Sequence, residues 1–387
     1  MDFELDDEQL ELQRVVRDIA ERECPATLVR SVVAGDDDGG RLWKTFVELD
    51  WPSLTVPEVD GGMGMTAVEL VIILEELGRV ADPTPFLATT SQFLPLVRAC
   101  TSASDDAGEA RRSLLRGVCG GATGAVAFAA DAVRARRNGG DGRGDGGGWV
   151  LDGTARHVVD GDRADDIAVV ARLGDADGAT AAGDGGVGVF IVPASSVTAT
   201  RSPAFDGSFH VAEVACDGVR VGADRAFTGP GVADAVERAR DEAAAGLAAV
   251  MVGASQRVFE LTLAHIKERK QFDVPIGSFQ AVKHMAVDMY VAIERARALC
   301  HFAGLTIAED DHRRALAASM AKAAAGDCQR LVAQHGIQLF GGLGFTWEND
   351  LQVYLRRAKV GEPLLGSTYD HRARAARTVL SGQTEVA

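Results

Sequence analysis

Two segments in the last third of the chain carry the residue types best suited to binding chemistry. The first runs from Glu268 to Met289 and gathers Arg269, Lys270, Phe272 and Gln280 on a corner stiffened by Pro275 and Gly277. A guanidinium, an aromatic face and an amide held together suit a ligand with phosphates and a stackable base. The second runs from Gln334 to Asp350 and places Gln338 just before Gly341, Gly342 and Gly344. Glycines that follow a helix cap it, and they also leave backbone amides open to an anionic or extended ligand.

Other patterns carry less. Gly183–Gly188 spells GxGxxG, but a strand-like run, Val187–Val192, follows it where a pyrophosphate loop needs a helix N-terminus, so it reads as a hairpin loop. No GxxxxGK[ST], GxSxG or HExxH occurs. His265, His284, His301, His335 and His371 have no metal-ligand spacing, so no metal site is expected. The six cysteines (Cys24, Cys100, Cys119, Cys216, Cys300, Cys328) form no CxxC pair and are expected to be buried thiols.

The composition limits the partners. Across 387 residues, 40 Lys and Arg face 56 Asp and Glu, a net charge of −16, which is the wrong sign for nucleic acid or an anionic membrane surface. No uninterrupted apolar run reaches the ~20 residues of a spanning helix. Met1–Asp7 lacks the basic and apolar regions of a signal peptide, so the expected location is cytoplasmic.

The elements that must position these residues fall into three regions, 1–118, 119–228 and 229–387. In the first, Leu5, Leu12, Val16 and Ile19 recur at helical spacing behind Asp6 as N-cap with Gln9 three residues on. A second helix starts near Thr66 and is expected to stop at Gly78, after the glycine turn at Gly61–Met65. The middle region alternates short β-rich runs (Ala125–Ala129, Trp149–Leu151, Ile167–Val170, Val187–Val192, Val211–Val214) with Gly and Asp clusters, and Arg134–Gly148 reads as a mobile hairpin loop. Helical periodicity returns after Gly231 in three long segments, which bury themselves best as an antiparallel bundle.

Taken together, the motifs resemble the acyl-CoA dehydrogenase family. The resemblance rests on VPExxGGxG at Val56–Gly64, Leu74–Arg79, RKxFxxPIGxFQ at Arg269–Gln280 with Asp288-Met289 beyond it, and Gln338-x-x-Gly-Gly-x-Gly-Phe-Thr to Thr346. It covers nearly the whole chain. It implies an α+β multidomain fold: an N-terminal helical domain, a central β-barrel or sandwich, and a C-terminal four-helix bundle. It also implies FAD, with Arg269, Phe272 and Gln280 contacting the adenosine diphosphate half of a cofactor bound mainly by an adjacent subunit. Gln338, Gly341 and Gly342 would touch the same cofactor, and Ser367 matches a family threonine near the flavin. The implied reaction removes a proton from Cα and a hydride from Cβ of an acyl thioester, in a homodimer or homotetramer that passes electrons to an electron-transfer flavoprotein.

The sequence departs from the family at the base. One family position for the proton-abstracting glutamate falls on Leu365, before Gly366-Ser367, and the other on Ala243. Glu242 is the candidate base, with Asp241 and Glu362 as further carboxylates. The family's Thr-Glu-Pro stretch is replaced near Ala129-Ala130-Asp131, and its Trp-Ile-Thr stretch by His157-Val158-Val159. These changes leave open two alternatives: a noncatalytic subunit that supports a paralogous partner in a heteromer, and a dehydrogenase of shifted substrate or double-bond position.

Overall fold

The computed structural model describes residues 5–100, 105–128, 130–138, 148–174 and 186–382. The N-terminal helices are α1 (Asp7–Glu23), α2 (Ala26–Ala34), α3 (Gly40–Glu48), α4 (Ala67–Arg79), α5 (Phe86–Ala88), α6 (Leu94–Ala99) and α7 (Asp105–Cys119), with a π turn at Thr89–Phe93 between α5 and α6. Helix α1 starts where its cap predicts: Asp6 accepts from the Gln9 amide at 2.9 Å and Gln9 answers the Asp6 amide at 3.2 Å. Thr66 and Glu69 repeat the device at α4.

Helix α4 stops one residue beyond Gly78, but the reason for a glycine there is contact. A Cβ there would lie 2.2 Å from the Val250 carbonyl, and one at Gly253 would lie 1.8 Å from the Glu75 carbonyl. The two glycines let α4 cross the long helix α8 (Val232–Glu268) backbone to backbone.

Eight strands make one mixed sheet: β1 (Gly124–Ala127), β2 (Val133–Arg137), β3 (Trp149–Val159), β4 (Asp166–Gly174), β5 (Val187–Pro193), β6 (Thr198–Arg201), β7 (Val211–Val221) and β8 (Ala226–Phe227). Their order is β6-β7-β3-β2-β4-β5-β8, with β1 parallel to β4. Strand β2 corrects the loop expected from Arg134. Val133 and Ala135 point inward while Arg134 and Arg136 face solvent, a period-two pattern that arginines obscure, and Arg137 at the strand end is exposed too. The glycine-rich remainder, 139–147, lies outside the described residues, as do Gly183–Gly185 of the GxGxxG match. One face of the sheet, through Val126, Val170 and Ile191, packs on α6, α7 and the start of α8.

The C-terminal region adds α9 (Gln280–Ala308), α10 (Arg314–Phe340), α11 (Leu351–Val360) and α12 (Thr368–Gly382). Helices α8, α9 and α10 form its long core, α11 packs on α8 and α12 on α10. At 37 residues, α8 spans about 55 Å. Its length and hydropathy would pass for a membrane span, but it is the buried axis of the bundle. Between α8 and α9 lies a hairpin of two-residue arms, β9 (Lys270–Gln271) and β10 (Val274–Pro275).

One side chain joins the three regions. Arg357, on α11 and almost wholly buried, donates to Asp206 at 2.6 Å and Ser208 at 3.0 Å ahead of β7, and to the Asp82 carbonyl beyond α4. Removing it strands the buried Asp206 carboxylate without its counter-charge, so Arg357→Met is expected to cost about 3–5 kcal/mol in urea unfolding. A loss below about 1 kcal/mol would contradict that role.

Candidate functional site

Where the sheet meets the end of α11, a crevice of about 240 Å³ opens between Val126 and Phe128 at the end of β1, Arg156, His157 and Val159 on β3, Gln92 on the π turn, and Pro363–Leu365. Adjacent strand residues normally face opposite sides, yet Arg156 and His157 both line it. The β3–β7 register shifts between Ala155 and Val158, and His157 adopts φ 60°, so a bulge turns both side chains to one side. A second chamber of about 390 Å³ continues past Phe128 and Leu365 to Glu237, Arg240, Asp370, His371, Arg374 and Arg377.

The loop that presents Leu365 is held by its carbonyls. Lys322, fully buried on α10, donates to the Glu362 and Gly366 carbonyls at 3.0 Å each, and burial pulls its ammonium down to about 8. His371 contacts the Leu365 carbonyl through Nε2 at 3.0 Å. With those tethers Leu365 keeps φ 58° and Gly366 φ 104°, a left-handed pair in which only the glycine is at ease. The result is a rigid pedestal whose displayed side chain is a hydrocarbon. His371 was expected to be an ordinary helical histidine. Its role was invisible because its partner is a backbone carbonyl.

The candidate base sits elsewhere. Glu242 is buried against Arg98 at 2.7 Å and Arg238 at 3.5 Å and lines neither chamber. Asp241 is bound to Arg374 at 2.7 Å and Arg314 at 3.3 Å, and burial pushes its carboxyl up despite them. The Glu362 carboxylate faces the Thr368 amide at 3.4 Å. Ala243 is fully buried. The carboxylates that do line the second chamber are Asp370, spent on the Ser367 amide and hydroxyl at the start of α12, and Glu237. Glu237 has only longer contacts, 3.4 Å to Arg240 and 3.3 Å to Arg374. Ser367 thus serves as a helix cap.

The remaining predicted residues meet at the far end of the bundle. His265 of α8 stacks on Phe340 of α10 at 4.2 Å, which joins the Arg269 corner to Gly341 and Gly342. Phe272 is 88% exposed with φ 54°, and Asp273 has φ 65°, so the β9–β10 turn holds an aromatic ring in solvent at a conformational cost. Arg269 has no ion pair among the described residues, Gln280 and Gln338 are exposed, and a Cβ at Gly341 or Gly342 would meet open space. This donor, aromatic and open-backbone set fits the phosphates and base of a dinucleotide. Some 30 residues of α8 separate it from Glu237 and Arg240, about 45 Å at the helical rise. A single bound dinucleotide cannot touch both clusters within one chain.

Known proteins share this fold. The family profile described as acyl-CoA dehydrogenase, N-terminal domain, matches residues 6–106, and that of acyl-CoA dehydrogenase, C-terminal domain, matches residues 230–380. The acyl-CoA dehydrogenase IpdE2 of Mycobacterium tuberculosis is 31% identical over 369 residues, covering 93% of this chain and 94% of that one. The ChsE4–ChsE5 complex from M. tuberculosis superposes with a TM-score of 0.85 at 25% identity, covering 98% of this chain and 99% of the other. A variant of the Tcur3481–Tcur3483 steroid acyl-CoA dehydrogenase gives a TM-score of 0.82 at 27% identity, with 98% and 99% covered.

The loop contacts generate a pH test. Burial, and then the Lys322 charge, lower His371 from 6.5 to about 4 in the folded chain. A depressed folded value means that this stability is present above 6.5 and lost as pH falls through about 4. His371→Gln cannot titrate, so wild type should lose roughly 3 kcal/mol more than the variant between neutral pH and that value, by urea unfolding at each pH. Equal losses would contradict the assignment.

Proposed function

The chain belongs to the acyl-CoA dehydrogenase family, FAD-dependent oxidoreductases acting on CH–CH groups, and we propose that it dehydrogenates an acyl thioester to the enoyl thioester at the crevice walled by Phe128 and Leu365. The observation that carries this reading is the two-chamber crevice itself. An apolar first chamber suits the acyl group, and a second chamber bearing Arg240, Arg374 and Arg377 suits the polyanionic carrier of a coenzyme A thioester.

FAD, when bound, accepts the hydride from Cβ. The chain's own residues do the rest. Val126, Phe128, Val159 and Leu364 exclude water, which strengthens every hydrogen bond to the thioester carbonyl as charge develops on it. The Cα proton needs a carboxylate; with the thioester at Phe128 and Leu365, which both chambers share, Glu237 is the α8 carboxylate lining the second chamber with its oxygens lightly held. Glu242, committed to Arg98, is the weaker candidate. Arg269, Phe272, Gln280, Gln338, Gly341 and Gly342 would hold the adenosine diphosphate half of FAD across a subunit interface, since their own crevice lies at the other end of α8. Reoxidation of such a cofactor would call for an electron-transfer flavoprotein as partner.

A second reading is favoured by Leu365 and Ala243, which put hydrocarbon at both family positions for the base. In it the chain is the noncatalytic half of a heteromer and lends its exposed corner to the FAD of a paralogous partner. In one structural relative, the ChsE4–ChsE5 complex, two differently named chains assemble.

Anaerobic addition of acyl-CoA to the full chain, purified with any subunit that accompanies it, tests both. The first reading predicts a yellow chain whose flavin band bleaches. Glu237→Gln should slow bleaching about 100-fold or more with flavin retained, whereas Glu242→Gln should stay within severalfold of wild type. A chain that is colourless alone, but raises the flavin content of a co-expressed paralogue, sinks the first reading and supports the second.

A further inference from the structure

The π turn at Thr89–Phe93 carries four consecutive polar side chains, all buried. Three have partners. Thr89 Oγ1 exchanges with the Gly124 backbone, while the Thr90 and Ser91 hydroxyls each donate to a carbonyl at 2.8 Å, those of Phe86 and Leu87. Gln92 is the exception. It is 1% exposed, its Nε2 has no partner, and its amide makes no hydrogen bond among the described residues. It also lines the first chamber. A buried amide without a partner is costly, and a π turn is a common device for aiming one residue into a site.

On the reading that this crevice takes an acyl thioester, we propose that the acyl group carries a neutral oxygen substituent, a hydroxyl or keto group, which meets the Gln92 amide. Apart from Arg156 and His157 at the β3 bulge, the rest of the lining is hydrocarbon (Val126, Phe128, Val159, Pro363, Leu364, Leu365), so the body of the group is apolar. A carboxylate is disfavoured there. Of the two lining side chains that can carry positive charge, Arg156 is 74% exposed and paired with Glu213 at 3.0 Å, and His157 beside it is exposed, so an anion buried at Gln92 would lack a counter-charge. Either end of the amide serves, because donor and acceptor exchange by rotation of the amide group. Sites built to hydrogen-bond a substrate oxygen discriminate strongly against analogues that lack it.

The test is calorimetric binding of octanoyl-CoA and of its mono-oxo and monohydroxy derivatives to the full chain with any accompanying subunit. The best oxygenated ligand should bind about 10-fold or more tightly than octanoyl-CoA, and Gln92→Leu should abolish or reverse that preference. The wild-type comparison decides even if the variant fails to fold. Equal binding of every ligand by wild type, or an unchanged preference in Gln92→Leu, overturns the inference and leaves the acyl-thioester reading standing. Failure of every thioester to bind overturns both.

Discussion

The arrangement depends on the burial of one guanidinium. Arg357 has its donors committed to Asp206, Ser208 and the Asp82 carbonyl, which belong to the sheet and to the N-terminal helices, while its own helix runs directly into the Glu362–Gly366 loop. A buried charge of this kind tolerates little displacement, because any lost contact leaves a desolvated ion unpaired. The sheet, α4 and the loop are therefore fixed relative to one another, and the crevice opens between the sheet, the π turn and the loop.

Within that frame the loop is positioned by backbone rather than by side chains. Lys322 and His371 hold the Glu362, Leu365 and Gly366 carbonyls, so the path of the loop does not depend on what residue 365 is. The family pedestal can persist with leucine on it, and chemistry can be lost or relocated without disturbing the fold. The exposed corner at the far end of α8 is independent of the crevice for the same reason: about 45 Å of rigid helix lies between them. A chain built this way can keep that corner unchanged while its own crevice changes.

The sequence disclosed local physics well and long-range physics poorly. The Asp6–Gln9 cap, the long helices and the strand cores were legible because period and capping are local. Gly78 reads from sequence as a helix end, and α4 does stop one residue beyond it, but the reason for a glycine there, the Val250 carbonyl, is far along the chain. Strand β2 was hidden by its arginines. The motif residues Arg269, Phe272 and Gly341 lie at an exposed corner, where Phe272 and Gly341 take positive φ and no described residue covers the Phe272 ring. Glu237, His371 and Gln92 were missed because each acquires meaning from what faces it across the crevice. Of these, only Glu237 carried a usable signal, five residues before Glu242 on the same helix and more than a quarter turn away from it.

The central claim is that this chain's own crevice holds the acyl group. It is tested most directly by photocrosslinking with an acyl-CoA bearing a diazirine in its acyl chain, followed by peptide mapping. The account predicts labels on Gln92, on Val126 and Phe128, and on Pro363–Leu365, suppressed by excess unlabelled acyl-CoA. Competable labels confined to a partner subunit, or to surfaces away from these segments, would contradict it.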